Sequence, residues 1–216
     1  MRYFFFFGLA ILFISCIETT GTLKKEGKKV FKDSIISFTC NYPIQKTRSN
    51  QLYNLFKENP ADSVRKRLIH NIRDSLFSCW LGTPWDFNGT TEEPGKGKIA
   101  CGYFVTTVLR DIGLPLKRIK LAQCASEEMI LAVCKNNTIK RFRNASLTEF
   151  VVEVKKMQPG LYIVGLDKHT GFILNDGEEV YFIHSTYVGS GVVVKEIAIE
   201  SIVLASSRYR VIGKVF

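Results

Sequence analysis

At Gln158, Pro159 and Gly160 the apolar residues of this chain change their period, and that change limits the folds open to it. From Asn50 to Leu81 the residues Leu52, Leu55, Phe56, Val64, Leu68, Ile72, Leu76 and Phe77 recur at three- and four-residue steps, the spacing of helix, with a break near Asn59 and Pro60. Beyond the Pro-Gly pair the runs LYIVGL, HTGFIL, EEVYFIHS, GVVVKEI and YRVIGKVF have the texture of strands. Helices first and strands after predict an α+β domain, with N-terminal helices packed on a C-terminal antiparallel sheet. They argue against the strand-helix alternation of an α/β fold.

Residues 82–99, GTPWDFNGTTEEPGKGKI, carry glycine, proline and asparagine punctuation and read as an irregular loop. Helix resumes at Cys101, where Phe104, Val105, Val108, Leu109 and Ile112 form one stripe and Gly113 with Pro115 supplies a stop. A further helix covers 126–134. Another opens at Ser146, where SLTE is a capping box with Glu149 three residues after the cap. Cys101 thus stands where a loop turns into helix, the position of a packing residue or of a nucleophile at a helix mouth. His70, among basic residues of the helical section, reads as a surface or packing residue with no chemistry attached.

The other two of the three histidines fall in one hairpin, KHTGFILNDGEEVYFIHST. Asp176-Gly177 is a favoured two-residue hairpin loop, and it sets Asn175 opposite Glu178 and His169 opposite His184. The rings then share a face of the sheet with Cβ atoms about 5 Å apart. A turn centred on Asn175 and Asp176 makes them diagonal neighbours instead. Paired strand histidines also occur as hydrogen-bonded core residues. A cysteine at a helix N-terminus changes the balance, because partial positive charge there and a nearby imidazole both favour thiolate. The expected roles are Cys101 as nucleophile, His169 as base and later acid, and His184 as the residue that orients the base. Backbone N–H groups at the start of the Cys101 helix are candidates for the oxyanion site.

The chain begins Met1-Arg2, then YFFFFGLAILFIS and Cys16. That run is short for a bilayer span but suits a secretory signal, and LFISC has the form of a lipoprotein signal ending at a lipidated Cys16. Cleavage further on, in TTGT, and a non-cleaved anchor helix are the alternatives. The expected organisation is a leader over 1–16, a polar tether and irregular lead-in over 17–49, and one catalytic domain over 50–216. Removing residues 1–15 deletes Arg2 alone among formal charges, so the net +10 becomes +9. A basic exported chain suits an anionic envelope partner, with the membrane reached through the N-terminal lipid, although a solvated lysine face accounts for most of these charges. No compact basic and aromatic patch points to nucleic acid. With Cys16 lipidated and Cys101 catalytic, Cys40, Cys79, Cys124 and Cys134 are left for two disulfides or none. The absence of Cys-x-x-Cys and of His/Cys clusters at zinc spacing argues against a structural metal, and nothing calls for a cofactor.

GTPWDFNG at 82–89, ACGYFVTTVLRDIGLPL at 100–116, QPG at 158–160, HTGFIL at 169–174 and FIHST at 182–186 together resemble the NlpC-like cysteine peptidases of bacterial cell walls, a branch of the papain-like fold. The resemblance runs from about Gly82 to the end. It implies a Cys101-His169-His184 triad and hydrolysis of an amide in peptidoglycan stem peptides through an acyl-enzyme, in the cell envelope facing the periplasm or cell surface. A binding lipoprotein without turnover, or an acyltransferase, is the alternative on the same fold. The family's aspartate and serine beside the nucleophile, associated with the free amino end of the stem peptide, are replaced by Ala100 and Gly102. Trp85 stands where the family has a tyrosine that helps the oxyanion site, an indole N–H in place of a hydroxyl. Tyr103 offers a hydroxyl of its own, or packs against the loop.

Overall fold

The computed structural model describes residues 40–216. The leader, the lipidation residue Cys16 and the tether to residue 39 lie outside the described residues. Helix α1 spans Tyr42–Glu58, so the lead-in expected as far as residue 49 is helical from Tyr42 onward. Periodicity missed its start because the buried face there is polar. Tyr42 Oη donates to Asp111 Oδ2 at 2.7 Å and accepts from Trp80 Nε1 at 3.0 Å, and Ser49 donates to Asn71 at 2.8 Å. Asn41 caps the helix and Pro43 sits in its first turn, where a missing N–H leaves no bond unmade.

Helix α2 (Asp62–Asn71) continues through a π turn at Ile72–Leu76 into α3 (Phe77–Trp80). Cys40 and Cys79 form a disulfide with Cα atoms 5.3 Å apart, closing a separation of 39 residues from the lead-in of α1 to α3. Among the described residues Cys101, Cys124 and Cys134 are free, so one bridge forms rather than two. Because a crosslink restricts the unfolded chain, Cys40→Ala with Cys79→Ala is expected to lower stability by roughly 2–4 kcal/mol in denaturant titration.

Helix α4 spans Cys101–Asp111, α5 Arg118–Ala122 and α6 Ser126–Val133. Strand β1 (Lys140–Arg143) comes next, then α7 (Leu147–Lys155) with its Ser146/Glu149 capping box complete. The remaining elements are β2 (Gly160–Leu166), β3 (Thr170–Asn175), β4 (Val180–Ser185), β5 (Val193–Ile197), α8 (Ile202–Ser206) and β6 (Tyr209–Lys214). The six strands form one sheet in the order β1-β6-β2-β3-β4-β5, antiparallel throughout. The architecture is α+β as expected, with β1 an addition before α7.

Alternation in the central strands gives the sheet two apolar faces. Leu161, Ile163, Phe172, Leu174 and Ile183 pack with Leu68, Phe77, Trp80, Phe104 and Val108 of the earlier helices. Tyr162, Val164, Ile173, Phe182 and Ile212 pack with Phe150 and Val154 of α7 and Leu204 of α8. The sheet is therefore the middle of three layers, and the N-terminus of α4 meets it near the beginning of β3.

The β3–β4 hairpin differs from the expected register. Asn175 pairs with Val180 and Phe172 with Ile183, so the two-residue loop is Gly177-Glu178 rather than Asp176-Gly177. Gly177, at φ +98°, occupies the first loop position, where a type II′ turn requires a positive φ. Asp176 is drawn out of the loop by its partners: Oδ1 accepts from the N–H groups of Glu178 and Glu179, and Oδ2 pairs with Arg73. This slide moves the register by two residues, so His169 and His184 become diagonal neighbours on the same face rather than directly opposed.

Candidate active site

Cys101 is the first residue of α4, and its position is fixed from both sides. The preceding loop is pinned by Ile99 N–H to Pro84 O at 2.9 Å and Ala100 N–H to Gly89 O at 2.8 Å. A side chain at Gly89 is impossible without backbone movement, since its Cβ would lie 2.5 Å from Ile99 N. From the sheet, Ser185 donates to Ile99 O at 2.7 Å, so the strand that carries His184 also holds the entry to the nucleophile's helix. On the far side the Ala122 carbonyl closes over Gly102, where a Cβ would come within 2.2 Å of the oxygen. Ala100, with φ −80° and ψ 158°, supplies no side-chain cap, and the first N–H groups of α4 have no partner within the helix.

His169 sits at the exit of the tight turn between β2 and β3, where its carbonyl accepts from Leu166 N–H at 2.8 Å. The Asp167 carboxylate braces that turn by accepting from the N–H groups of Arg208 and Tyr209. His169 Nε2 lies 2.8 Å from His184 Nδ1, and the rings meet edge to face at 5.0 Å. His184 stacks on Phe182 at 3.9 Å, and Gly171 opposite leaves room for both, because a Cβ there would lie 2.8 Å from that of His184. His184 Nε2 in turn lies 3.2 Å from Glu196 Oε1 on β5. The remaining ring nitrogen, His169 Nδ1, is buried and has no hydrogen-bond partner. A buried polar atom left unpaired is rare and calls for a reason.

Cys101 and His169 line the same two clefts. One, about 870 Å³, has Trp85, Phe87, Tyr103 and Tyr187 on its walls. The other, about 460 Å³, runs past Ser126, Glu127, Asp167 and Thr170. Ala122, Gly102 and Lys168 border both, so the cysteine and histidine stand at the junction of a two-armed groove. His184, 1% exposed, lies behind His169 rather than in the groove. Trp85 packs against Tyr187 at 5.8 Å, and Tyr187 against the edge of His169 at 5.7 Å. Tyr103 faces the larger arm with its hydroxyl accepting from Gln123 at 3.0 Å and Arg118 4.9 Å above its ring.

The electrostatics describe a neutral resting pair. Burial pushes the Cys101 thiol up, opposed by the backbone N–H groups of Thr170, Gly102 and Cys101 itself. Burial, with the His184 ring beside it, pushes His169 down to about 3. His184 is also pushed down by burial, with the Glu196 carboxylate pulling the other way. Burial raises the Glu196 carboxyl, but hydrogen bonds from His184 and Ser201 outweigh it and hold the group below its ordinary range. At neutral pH the pair is thiol and imidazole.

A histidine pushed from 6.5 to about 3 binds its proton in the unfolded chain before it does so in the folded one. Stability from this group is therefore complete above about pH 6.5 and is lost progressively as pH falls toward 3. At about 1.4 kcal/mol per pKa unit the ceiling is roughly 4–5 kcal/mol. His169→Gln is expected to flatten the fall in stability across that window, measured by denaturant titration at a series of pH values.

The sequence-selected residues Cys101, His169, His184, Trp85 and Tyr103 thus come together at one end of the sheet, while His70 lies apart, paired with Asp74 at 3.0 Å. Sequence reasoning missed Glu196 and Tyr187. Strand alternation in GVVVKEI carried a signal for the former: Glu196 lies two residues beyond Val194, the partner of His184, and so on the same face. Among the described residues no three His, Cys, Asp or Glu side chains converge as metal ligands.

Compared with known proteins, the chain matches no family model, no curated protein and no solved structure.

Proposed function

We propose that this chain is an exported cysteine hydrolase of the NlpC-like, papain-like type that cleaves an amide through an acyl-enzyme on Cys101. The observation that carries the reading is that His169 lines the same groove as Cys101, with Nε2 committed to His184 and the buried Nδ1 left without a hydrogen-bond partner. A histidine with an uncommitted ring nitrogen, sharing a groove with a cysteine at a helix N-terminus, offers a general base and its nucleophile.

In the reaction His169 Nδ1 takes the thiol proton as Cys101 Sγ bonds to the carbonyl carbon. N–H groups at the start of α4 receive the developing oxyanion. As the tetrahedral intermediate collapses, the C–N bond breaks and His169 gives its proton to the leaving amine. Water then attacks the thioester with His169 again as base, releasing the acid and restoring the thiol. Trp85 and Tyr103 belong to the substrate arm in this account, and Tyr103, whose hydroxyl already accepts from Gln123, shapes the arm rather than the oxyanion site.

Cell-envelope location, anchorage through Cys16 and a peptidoglycan substrate belong to the same proposal and rest on the leader and the resemblance. The amino-end contact of the resembled family is absent: Ala100 offers no carboxylate, and a side chain at position 102 would strike the Ala122 carbonyl. That difference favours an envelope amide other than a standard stem peptide, or a lipoprotein that binds without turnover. Incubation of the protein with defined stem peptides and intact peptidoglycan, followed by mass detection, tests this. New fragments that vanish with Cys101→Ala support the wall hydrolase, and unchanged substrates beside a reactive Cys101 redirect it to another amide.

A further inference from the structure

We infer that Glu196 is a positioning residue: it fixes the tautomers of both histidines in series and thereby leaves a lone pair, rather than a proton, on the His169 nitrogen that serves Cys101. The inference rests on the thiol-hydrolase reading for its consequence but on hydrogen-bond chemistry for its content.

A carboxylate only accepts hydrogen bonds, so His184 Nε2, 3.2 Å from Glu196 Oε1, must carry the hydrogen. A neutral imidazole has one N–H, which makes His184 Nδ1 an acceptor. His169 Nε2, 2.8 Å away, must then be the donor, and the same rule strips His169 Nδ1 of hydrogen. That nitrogen is the buried one without a hydrogen-bond partner. Were the chain inverted, Nδ1 would carry a proton and could not accept one from sulfur. The carboxylate also faces the positive charge that forms on the histidine pair when the thiol proton arrives.

Few other charges compete. Facing Glu196 are His184 from β4 and the Ser201 hydroxyl ahead of α8. The neighbouring Lys195 points its ammonium over the Tyr181 ring at 5.5 Å. Lining the groove with His169 are Cys101 from α4, Asp167 and Lys168 from the β2–β3 turn, Glu127 from α6 and the Tyr187 ring. The two carboxylates are engaged elsewhere, Asp167 by the N–H groups of Arg208 and Tyr209 and Glu127 by Arg141 and the Tyr209 hydroxyl. Glu196 is thus the only carboxylate bonded to either ring among the described residues.

The test is ¹⁵N NMR of the histidine rings in the mature chain, combined with the rate of Cys101 alkylation by iodoacetamide across pH, for wild type, Glu196→Ala and Glu196→Gln. Wild type is expected to show both His169 and His184 protonated on Nε2. Glu196→Ala is expected to lose that signature at one or both rings and to alkylate roughly 10- to 100-fold more slowly near neutral pH, less than the loss from a direct triad member because Glu196 is one residue further out. Glu196→Gln retains an acceptor oxygen and is expected to keep the tautomers while recovering part of the rate. If either ring in wild type carries its proton on Nδ1, or Glu196→Ala leaves tautomers and rate unchanged, the inference is overturned. An unchanged alkylation profile in His169→Ala sinks the hydrolase reading instead, and the ring tautomers still report on Glu196.

Discussion

Cys101→Ala is expected to remove turnover of whatever amide the wild type cleaves, with a fall in kcat on the order of 10⁶-fold, and His169→Ala to fall nearly as far. A nucleophile and its base act as one unit, so the double variant should be little worse than either single one. Such non-additivity separates a shared chemical step from two independent losses of binding. Folding should be spared at position 101, where a half-buried thiol at the end of a helix is exchanged for a methyl group and α4 keeps its packing. Equal thermal transitions for wild type and Cys101→Ala, alongside complete loss of turnover, are the expected result. Residual turnover within tenfold of wild type would place the chemistry elsewhere.

Phe104→Ala is expected to destabilise the fold by about 3–5 kcal/mol, measured by denaturant titration. Its ring is fully buried and lies 5.7 Å from Trp80, 5.8 Å from Phe172 and 6.3 Å from Phe77. These partners come from α3, β3 and the junction of the π turn with α3, so the cavity would open where α4 is pressed against the sheet. That loss is a large fraction of the 5–15 kcal/mol that stabilises an ordinary domain. Because the same contact sets the depth of Cys101 relative to the start of β3, alkylation of Cys101 in the folded fraction should also change. Ile202→Ala, at 74% exposure, is the control and should alter stability by less than about 0.5 kcal/mol.

What the sequence disclosed was local. The start of α4 at Cys101, the break after α1 and the Ser146 capping box each depend on residues within a few positions of one another, and each is found where periodicity and cap chemistry put it. Features that depend on distant partners were not legible. Strand β1, Lys-Arg-Phe-Arg, has no strand pattern of its own and exists because it pairs with β6 at the sheet edge. The short helix α8 is held by the Ser201 cap and by Arg210, whose buried guanidinium donates to Leu204 O.

The histidine pair shows both sides of this. Asp-Gly is a good turn in isolation, but Arg73, on a helix far away in sequence, takes the Asp176 carboxylate and the loop moves on by one residue. A slide of one position at the turn shifts strand pairing by two, and a shift of two preserves the face. His169 and His184 therefore still meet, at a diagonal. Glu196 needed the β4–β5 register as well, which no turn motif in the sequence announces.

The central claim is that His169 is the base for Cys101, and the pH dependence of Cys101 alkylation in wild type and His169→Ala tests it most directly. With the thiol pushed up by burial and His169 neutral down to about pH 3, wild type should alkylate through base assistance across the neutral range. His169→Ala should lose that assistance, react at least about tenfold more slowly near neutral pH and approach wild type only as the thiol ionises on its own. Superimposable profiles for the two proteins would contradict the account.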